Sequence, residues 1–261
     1  MKKEYEPDRV REAMPLEPAG RTADARYLRP GELLSAMERF PVAYQPLGTI
    51  EWHGRHNPLG VDGIKVEELC FAAAVRTGGV VFPTLWFSVD AYRDAGHGVG
   101  VGMDAAAGML LPGSVYRLET ELFYSLLRAS CQNYLSRGFQ MVVCLSGHQV
   151  WTLSDVVERV SYDFLTPAGE RTVLFGTELS VCPPEVGEGD HAGFHETSMM
   201  LHLCPDCVRL DANDGPDAPD LGVGNQPGLH YSQATAGEGA RRFSLAVDGT
   251  VRWVQESFAK L

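Results

Sequence analysis

At 261 residues and 44% apolar content the chain is long enough for one large α/β domain, and no Pro/Ser-rich linker splits it. A formal net charge of −12, with no Lys/Arg cluster longer than a pair, argues against a nucleic-acid partner, which needs a basic surface to release counterions. No apolar run approaches the roughly 18 residues of a membrane span, and residues 1–8 lack the apolar stretch of a signal peptide, so the expectation is a cytoplasmic protein with no membrane partner.

In chain order, residues 1–30 are polar and broken by Pro7, Pro15, Pro18 and Pro30. They read as an irregular arm that wraps the surface or reaches a neighbouring subunit, ahead of a domain over 31–261. Pro30 and Gly31 open a helix over 32–40, with Leu33, Leu34, Met37 and Phe40 at helical spacing, and 42–47 is a buried strand. An amphipathic helix over 64–76 ends at Gly78 and Gly79, and 80–83 is a short strand. Residues 85–112, rich in Gly, Asp and aromatics, fit no regular element and have the length of a functional loop that walls a site. A long helix over 115–136 closes at Gly138, a strand over 141–145 follows, then a helix over 151–164 and a strand over 172–175. Residues 211–228 are a Gly/Pro/Asp-rich excursion, and 241–254 alternate like a hairpin around Asp248 and Gly249. Alternating strands and helices predict an α/β fold with a mainly parallel sheet, helices on both faces, and ligands at the carboxyl ends of the strands.

Three constellations carry chemistry. The loop after the first strand packs Glu51, His53, His56 and Asp62 into one short stretch; Glu51 and His53, two apart, share a face when extended, and Gly54, Pro58 and Gly60 let Asp62 turn back toward them. Carboxylate oxygen with imidazole nitrogen suits zinc, manganese or non-haem iron, and a carboxylate can bridge two ions. His56 either supports a ligand carboxylate or is exposed. The strand over 141–145 delivers Ser146, Gly147 and His148 to the same sheet edge, where the glycine lets the backbone turn and present the imidazole. A third stretch places His191, His195 and Glu196 just ahead of an apolar helix over 199–203, either as site groups or as a cap for free amides. Six cysteines lie mostly in apolar runs and read as reduced; Cys204 and Cys207 have redox or zinc-knuckle spacing without a second pair, so no disulfide framework is expected.

These motifs resemble the creatininase family of metallohydrolases in order and spacing. The family's Gly-x-x-Glu-Gln-His-Gly-Pro-His-Leu-Pro-Leu-x-Thr-Asp is followed here at Gly48, Glu51, His53, Gly54, His56 and Asp62, with Trp52, Arg55, Asn57 and Val61 substituted. Pro112, Gly113 and Ser114 echo its Pro-Gly-Thr, Gly147 and His148 its Gly-His strand end, and residues 191–198 its His-Ala-Gly-x-x-Glu-Thr-Ser without change; 234–239 resembles a late Ala-Thr-Ala-x-x-Gly. The resemblance implies a dinuclear site with two divalent ions (Zn, Mn or Fe): Asp62 bridging, Glu51 and His148 on one ion, His53 and Glu196 on the other, attack by metal-bound hydroxide, and His191 as proton shuttle. It also implies a homo-oligomer, commonly a hexamer.

Where creatininases proper carry a glutamate two residues past the strand-end His, and many relatives Gly-Gly-Asn, this chain has Gln149, Val150 and Trp151, which points away from creatinine. Trp52, Arg55, His56, Tyr92, His97 and Trp151 are candidate substrate contacts, and Asp90 and Arg93 add polar groups in the long loop. The expected activity is opening of a small cyclic carbonyl compound, whether amide, lactone or oxidised cyclitol. The alternatives are a formamide deformylase on the same centre and a degenerate oligomeric binding protein.

Overall fold

The computed structural model describes residues 5–14, 16, 22–94, 99–186, 188–212 and 221–261. Four strands, β1 (Val42–Leu47), β2 (Val80–Val81), β5 (Met141–Ser146) and β6 (Val173–Thr177), form a parallel sheet in the order β2-β1-β5-β6. A separate antiparallel pair, β3 (Tyr92–Asp94) and β4 (Val99–Val101), lies within the long loop. The helices are α1 (Pro7–Ala13), α2 (Pro30–Arg39), α3 (Val61–Thr77), α4 (Gly102–Ala107), α5 (Thr120–Leu135), α6 (Trp151–Tyr162), α7 (Phe194–Leu203) and α8 (Ala236–Phe258).

Side chains alternate across the two faces of the central strands, so each face builds its own core. Ala43 and Leu47 of β1 with Val142 and Cys144 of β5 pack on Phe123, Leu127 and Cys131 of α5 and Leu153, Val156, Val157 and Val160 of α6. Val42 and Tyr44 with Met141, Val143 and Leu145 meet Val66, Leu69, Cys70 and Ala73 of α3 and Ala246, Val247, Val251 and Val254 of α8. The α/β expectation with helices on both faces is met. β1 and β5 pair in register from Val42 and Met141 to Leu47 and Ser146, so both strands end at one sheet edge and release their loops side by side. Close packing there needs Gly147: a Cβ on it would run into the Asp62 backbone.

Several boundaries and one element differ from expectation. The segment read as a hairpin around Asp248 and Gly249 is the interior of α8. Its buried residues, Arg242, Ala246, Val247, Gly249, Thr250, Val251 and Val254, recur at helical spacing, and Thr235 caps the helix by accepting from the Glu238 amide (3.2 Å). Gly249 marks a close approach to the Val181 carbonyl instead of a turn. The arm is not wholly irregular, since α1 forms behind Pro7, and Asp24 bridges to Val81 at the sheet edge. α5 begins at Thr120, not 115, because residues 117–118 run extended against Ser88. The 85–112 stretch contains β3, β4 and α4. α7 begins at Phe194, so His195 and Glu196 lie in its first turn and not ahead of it. Cys70, Cys131 and Cys144 are buried and free, as read, whereas the sulfurs of Cys204 and Cys207 are bonded across the turn after α7. Among the described residues no helix is long and apolar enough to cross a membrane.

Candidate metal centre

Five side chains from four parts of the chain meet at the edge where β1 and β5 end. Glu51 and His53 come from the loop after β1, Asp62 from the first turn of α3, His148 from the loop after β5, and Glu196 from the first turn of α7. Both helical carboxylates sit at helix N-termini, where the dipole favours negative charge. All five are buried, none above 9% exposed. His148 Nδ1 stands 3.2 Å from Glu51 Oε2 and 3.4 Å from Asp62 Oδ2. His53 Nε2 stands 3.5 Å from Asp62 Oδ1 and 3.5 Å from Glu196 Oε2. Glu51, Asp62 and His148 thus make one cluster able to hold an ion, His53, Asp62 and Glu196 a second, and each oxygen of Asp62 faces one of them.

The His53 ring is fixed from behind. His53 Nδ1 donates to the Glu51 carbonyl (3.1 Å), which turns Nε2 toward Asp62 and Glu196. His53 Nε2, Asp62 Oδ2 and His148 Nε2 are buried without a hydrogen-bond partner among the described residues. Two imidazoles and three carboxylates, with buried atoms left over, are donors of the kind that could hold divalent transition-metal ions. His148 Nε2 looks toward Asp90 Oδ1 at 3.8 Å, and Asp90 is itself held by the Ala91 amide (2.8 Å) and by Arg117 Nε (3.2 Å).

The charges are strongly coupled. Burial pushes the Asp62 carboxyl up, but His53 and His148 more than reverse this and hold it well below the carboxylate range. Burial likewise opposes protonation of His53, yet Asp62, Glu196 and Glu51 raise it to about 9. His148 is driven well up against burial by Glu51 and Asp62. Glu51 and Glu196, both pushed up by burial, end low because of His148 and Lys65 respectively. Asp90 is raised, first by burial and then by Glu51.

His191 lies beside the centre. Its Nε2 donates to the Trp52 carbonyl (2.8 Å), its ring centroid is 4.4 Å from that of His53, and its backbone bridges to Gly224. The next residue, Ala192, has a left-handed backbone (φ 54°) and turns its amide onto Glu196 Oε2 (2.8 Å). Non-glycine residues adopt this conformation at a cost that sites tolerate when it aims a group. His56 is buried, donates to the Ala192 carbonyl (2.9 Å) and stacks on Tyr231, so it props this turn from behind.

A cavity of about 530 Å³ opens over the centre, lined by Glu51, Asp62, His148, His191 and Glu196 and further out by Asp90, Met103, Gln149, Val150, Leu179 and Val223. The long loop does wall the site, through Asp90, Gly102, Met103 and Ala106. Of the remaining sequence candidates among the described residues, none lines this cavity. Trp52 anchors the 221–224 segment through Nε1 to the Leu221 carbonyl (2.7 Å). Arg55, Tyr92 and Trp151 are exposed, and His195 is half-buried on the first turn of α7. His97 lies outside the described residues.

The sequence reading passed over Lys65, Glu178 and the capping role of Asp190. Lys65 is buried, one helical turn beyond Asp62, and pairs with Glu196 Oε1 and with Glu178 Oε2 (3.2 Å). A lysine three residues after a candidate ligand, on a helix face otherwise made of Val66, Leu69 and Ala73, was the available signal. Asp190 receives the amides of His195 (2.7 Å) and Glu196 (3.1 Å), capping α7.

A family profile described as creatinine amidohydrolase matches residues 27–254. The chain belongs to the creatininase family. Among curated creatininase-family relatives it is 28% identical to a mycofactocin precursor peptide peptidase from Mycolicibacterium smegmatis, over 80% of this chain and 82% of that one. It is also 28% identical to the creatinine amidohydrolase of Pseudomonas putida, over 64% of this chain and 65% of the relative. A 3-dehydro-scyllo-inosose hydrolase from Thermotoga maritima matches at 26% over 47% of this chain and 35% of its own. All three relatives are hydrolases or peptidases. A crystal structure of creatininase superposes with a TM-score of 0.72 at 20% identity, covering 92% of this chain and 99% of that one, which shows the shared fold. Among the solved structures that share this fold, at 20–21% identity, one is described as a Zn-Zn type creatininase mutant and another as a Mn creatininase.

Proposed function

We propose that this creatininase-family chain is a dinuclear metal-dependent hydrolase that opens a small cyclic carbonyl compound: a cyclic amide, a lactone or an oxidised cyclitol. One observation carries the reading: Asp62 is shared, its Oδ2 facing the Glu51 and His148 cluster and its Oδ1 facing the His53 and Glu196 cluster. In this reading Glu51, Asp62 and His148 hold one divalent ion and His53, Asp62 and Glu196 the other. Bound there, the pair supplies Lewis acidity toward a carbonyl and an acidified water at neutral pH.

The chain's own residues then orient and protonate. His191, pinned through Nε2 to the Trp52 carbonyl, keeps Nδ1 to take a proton and return it to the leaving atom. Val150 at the cavity wall cannot ligate, so Glu196 completes the second set. The cavity volume suits a small molecule, and its lining outside the centre mixes apolar Met103, Leu179 and Val223 with polar Gln149 and Asp90. A peptide terminus is a second reading, favoured by the long match to the mycofactocin precursor peptide peptidase.

The test is metal analysis of the purified protein followed by a hydrolysis panel of creatinine, hydantoins, lactones, keto-inositols, formamides and short peptides. The expected result is two ions per chain and turnover of one ring class. Turnover of formamides or peptides alone would replace the ring-opening assignment, and metal well below one ion per chain would overturn the dinuclear reading.

A further inference from the structure

Lys65 has no part in the reaction just described, yet it is buried against one half of the centre. A buried ammonium is costly unless it is paired and hydrogen-bonded. Here it has two carboxylates, Glu196 through Oε1 and Glu178 through Oε2 at 3.2 Å. Glu178 is buried just past β6, its amide donating to the Ser146 carbonyl (3.0 Å), so the base of this ion pair is tied to the sheet. The two oxygens of Glu196 therefore do different work. Oε1 is committed to the ammonium, and Oε2 alone, while accepting the Ala192 amide, faces His53 at 3.5 Å. The other half of the centre has no counterpart: among the described residues no Lys or Arg side chain pairs with Glu51 or Asp62.

We propose that Lys65 is a positioning residue that makes the two halves of the centre unequal. It confines Glu196 to a single oxygen and sets a fixed positive charge beside the His53, Asp62 and Glu196 half, so an ion there is held more weakly and exchanges more readily than one at Glu51, Asp62 and His148. The physical cause is repulsion between the ammonium and a divalent ion a few ångströms apart, in surroundings where water screens little. Restriction to one carboxylate oxygen adds to it by denying the ion two-oxygen chelation. The inference rests on the two-ion reading above.

The experiment is titration calorimetry of zinc chloride into metal-stripped full-length protein, with Lys65→Gln as the main variant. Glutamine keeps a donor for Glu196 without the charge. A second variant, Lys65→Met with Glu178→Gln, removes the amine and its partner's charge together and carries the comparison if the single change does not fold. The wild type should take two ions in resolved steps. The variants should keep the tight step within threefold and tighten the weak step on the order of tenfold. Manganese electron paramagnetic resonance gives an independent reading: half-loaded wild type should show isolated ions, and half-loaded variants a larger share of coupled pairs. Two ions in the wild type with an unchanged gap in a folded variant, or a weaker second step, would overturn the role of Lys65 and leave the dinuclear reading intact. Fewer than two ions in the wild type would overturn both.

Discussion

His53 is a residue at which protons and a metal ion would compete directly. Its folded pKa of about 9 lies above the roughly 6.5 of an unfolded imidazole, because Asp62, Glu196 and Glu51 outweigh burial. In metal-stripped protein its contribution to stability is therefore complete below about pH 6.5 and is lost as pH climbs through about 9. A ligating ring must be unprotonated, so metal entry expels protons and affinity should climb across the same window. Zinc calorimetry in two buffers of different ionisation heat should read proton release at neutral pH that fades above about pH 9; no release at pH 7 would contradict the raised value. Asp62 and His191 separate binding from turnover. Asp62→Ala removes the oxygens that face both clusters, so both ions should be lost, and a metal-replete, active variant would sink the shared-ligand assignment. His191→Ala takes away a ring whose Nε2 already serves the Trp52 carbonyl. It should keep both ions while turnover falls roughly 10²- to 10⁴-fold; full activity would remove His191 from the reaction.

At the level of elements, what could be read in the sequence depended on whether local pattern and tertiary role agreed. β1, apart from Gln45, and β5, up to Ser146, are apolar runs because both of their faces are covered, and α3 ends at Gly78, so their positions were legible within a few residues. The loop after β1 stood out because four chemistry-bearing residues, Glu51, His53, His56 and Asp62, cluster just past a strand end. α8 misled because Asp248 and Gly249 look like turn chemistry, while the glycine is there for the backbone of Val181. The ion pair of Lys65 with Glu178 was out of reach, since it joins residues 113 positions apart on two elements whose contact no local pattern encodes. α8 gives a paired test. Gly249→Ala places a methyl on the Val181 carbonyl and should cost about 1–3 kcal/mol. Gly237→Ala in the exposed first turn of the same helix meets nothing within 4 Å and should be neutral or stabilise by up to about 1 kcal/mol. Thermal unfolding of both variants decides it, since a true turn at Gly249 would leave its alanine variant free of any clash with Val181.

For the whole molecule, the centre ties together the loop after β1, the first turn of α3, the loop after β5 and the first turn of α7, segments spread from Glu51 to Glu196. The centre gathers four buried carboxylates, Glu51, Asp62, Glu178 and Glu196; Lys65 pairs with Glu178 and Glu196, and protonated His53 and His148 offset part of the remaining charge. On the proposed two-ion reading, a divalent pair would replace that proton-dependent balance with fixed positive charge and would bind only where all these segments are in place. Ligand binding to the folded state alone stabilises by RT ln(1 + [L]/Kd), about 2.7 kcal/mol per ion at a hundredfold excess over Kd. For a chain of this size 1 kcal/mol moves the midpoint by about 2–4 °C. Chelation should therefore lower Tm by roughly 5–10 °C per ion removed, and added zinc or manganese should restore it. Asp62→Ala supplies the control: its Tm should ignore chelator and metal alike, because the residue shared by both clusters is gone. A wild-type Tm indifferent to chelation, in protein shown by metal analysis to have lost its ions, would mean that these four segments are held by packing alone and that the centre contributes nothing to the fold.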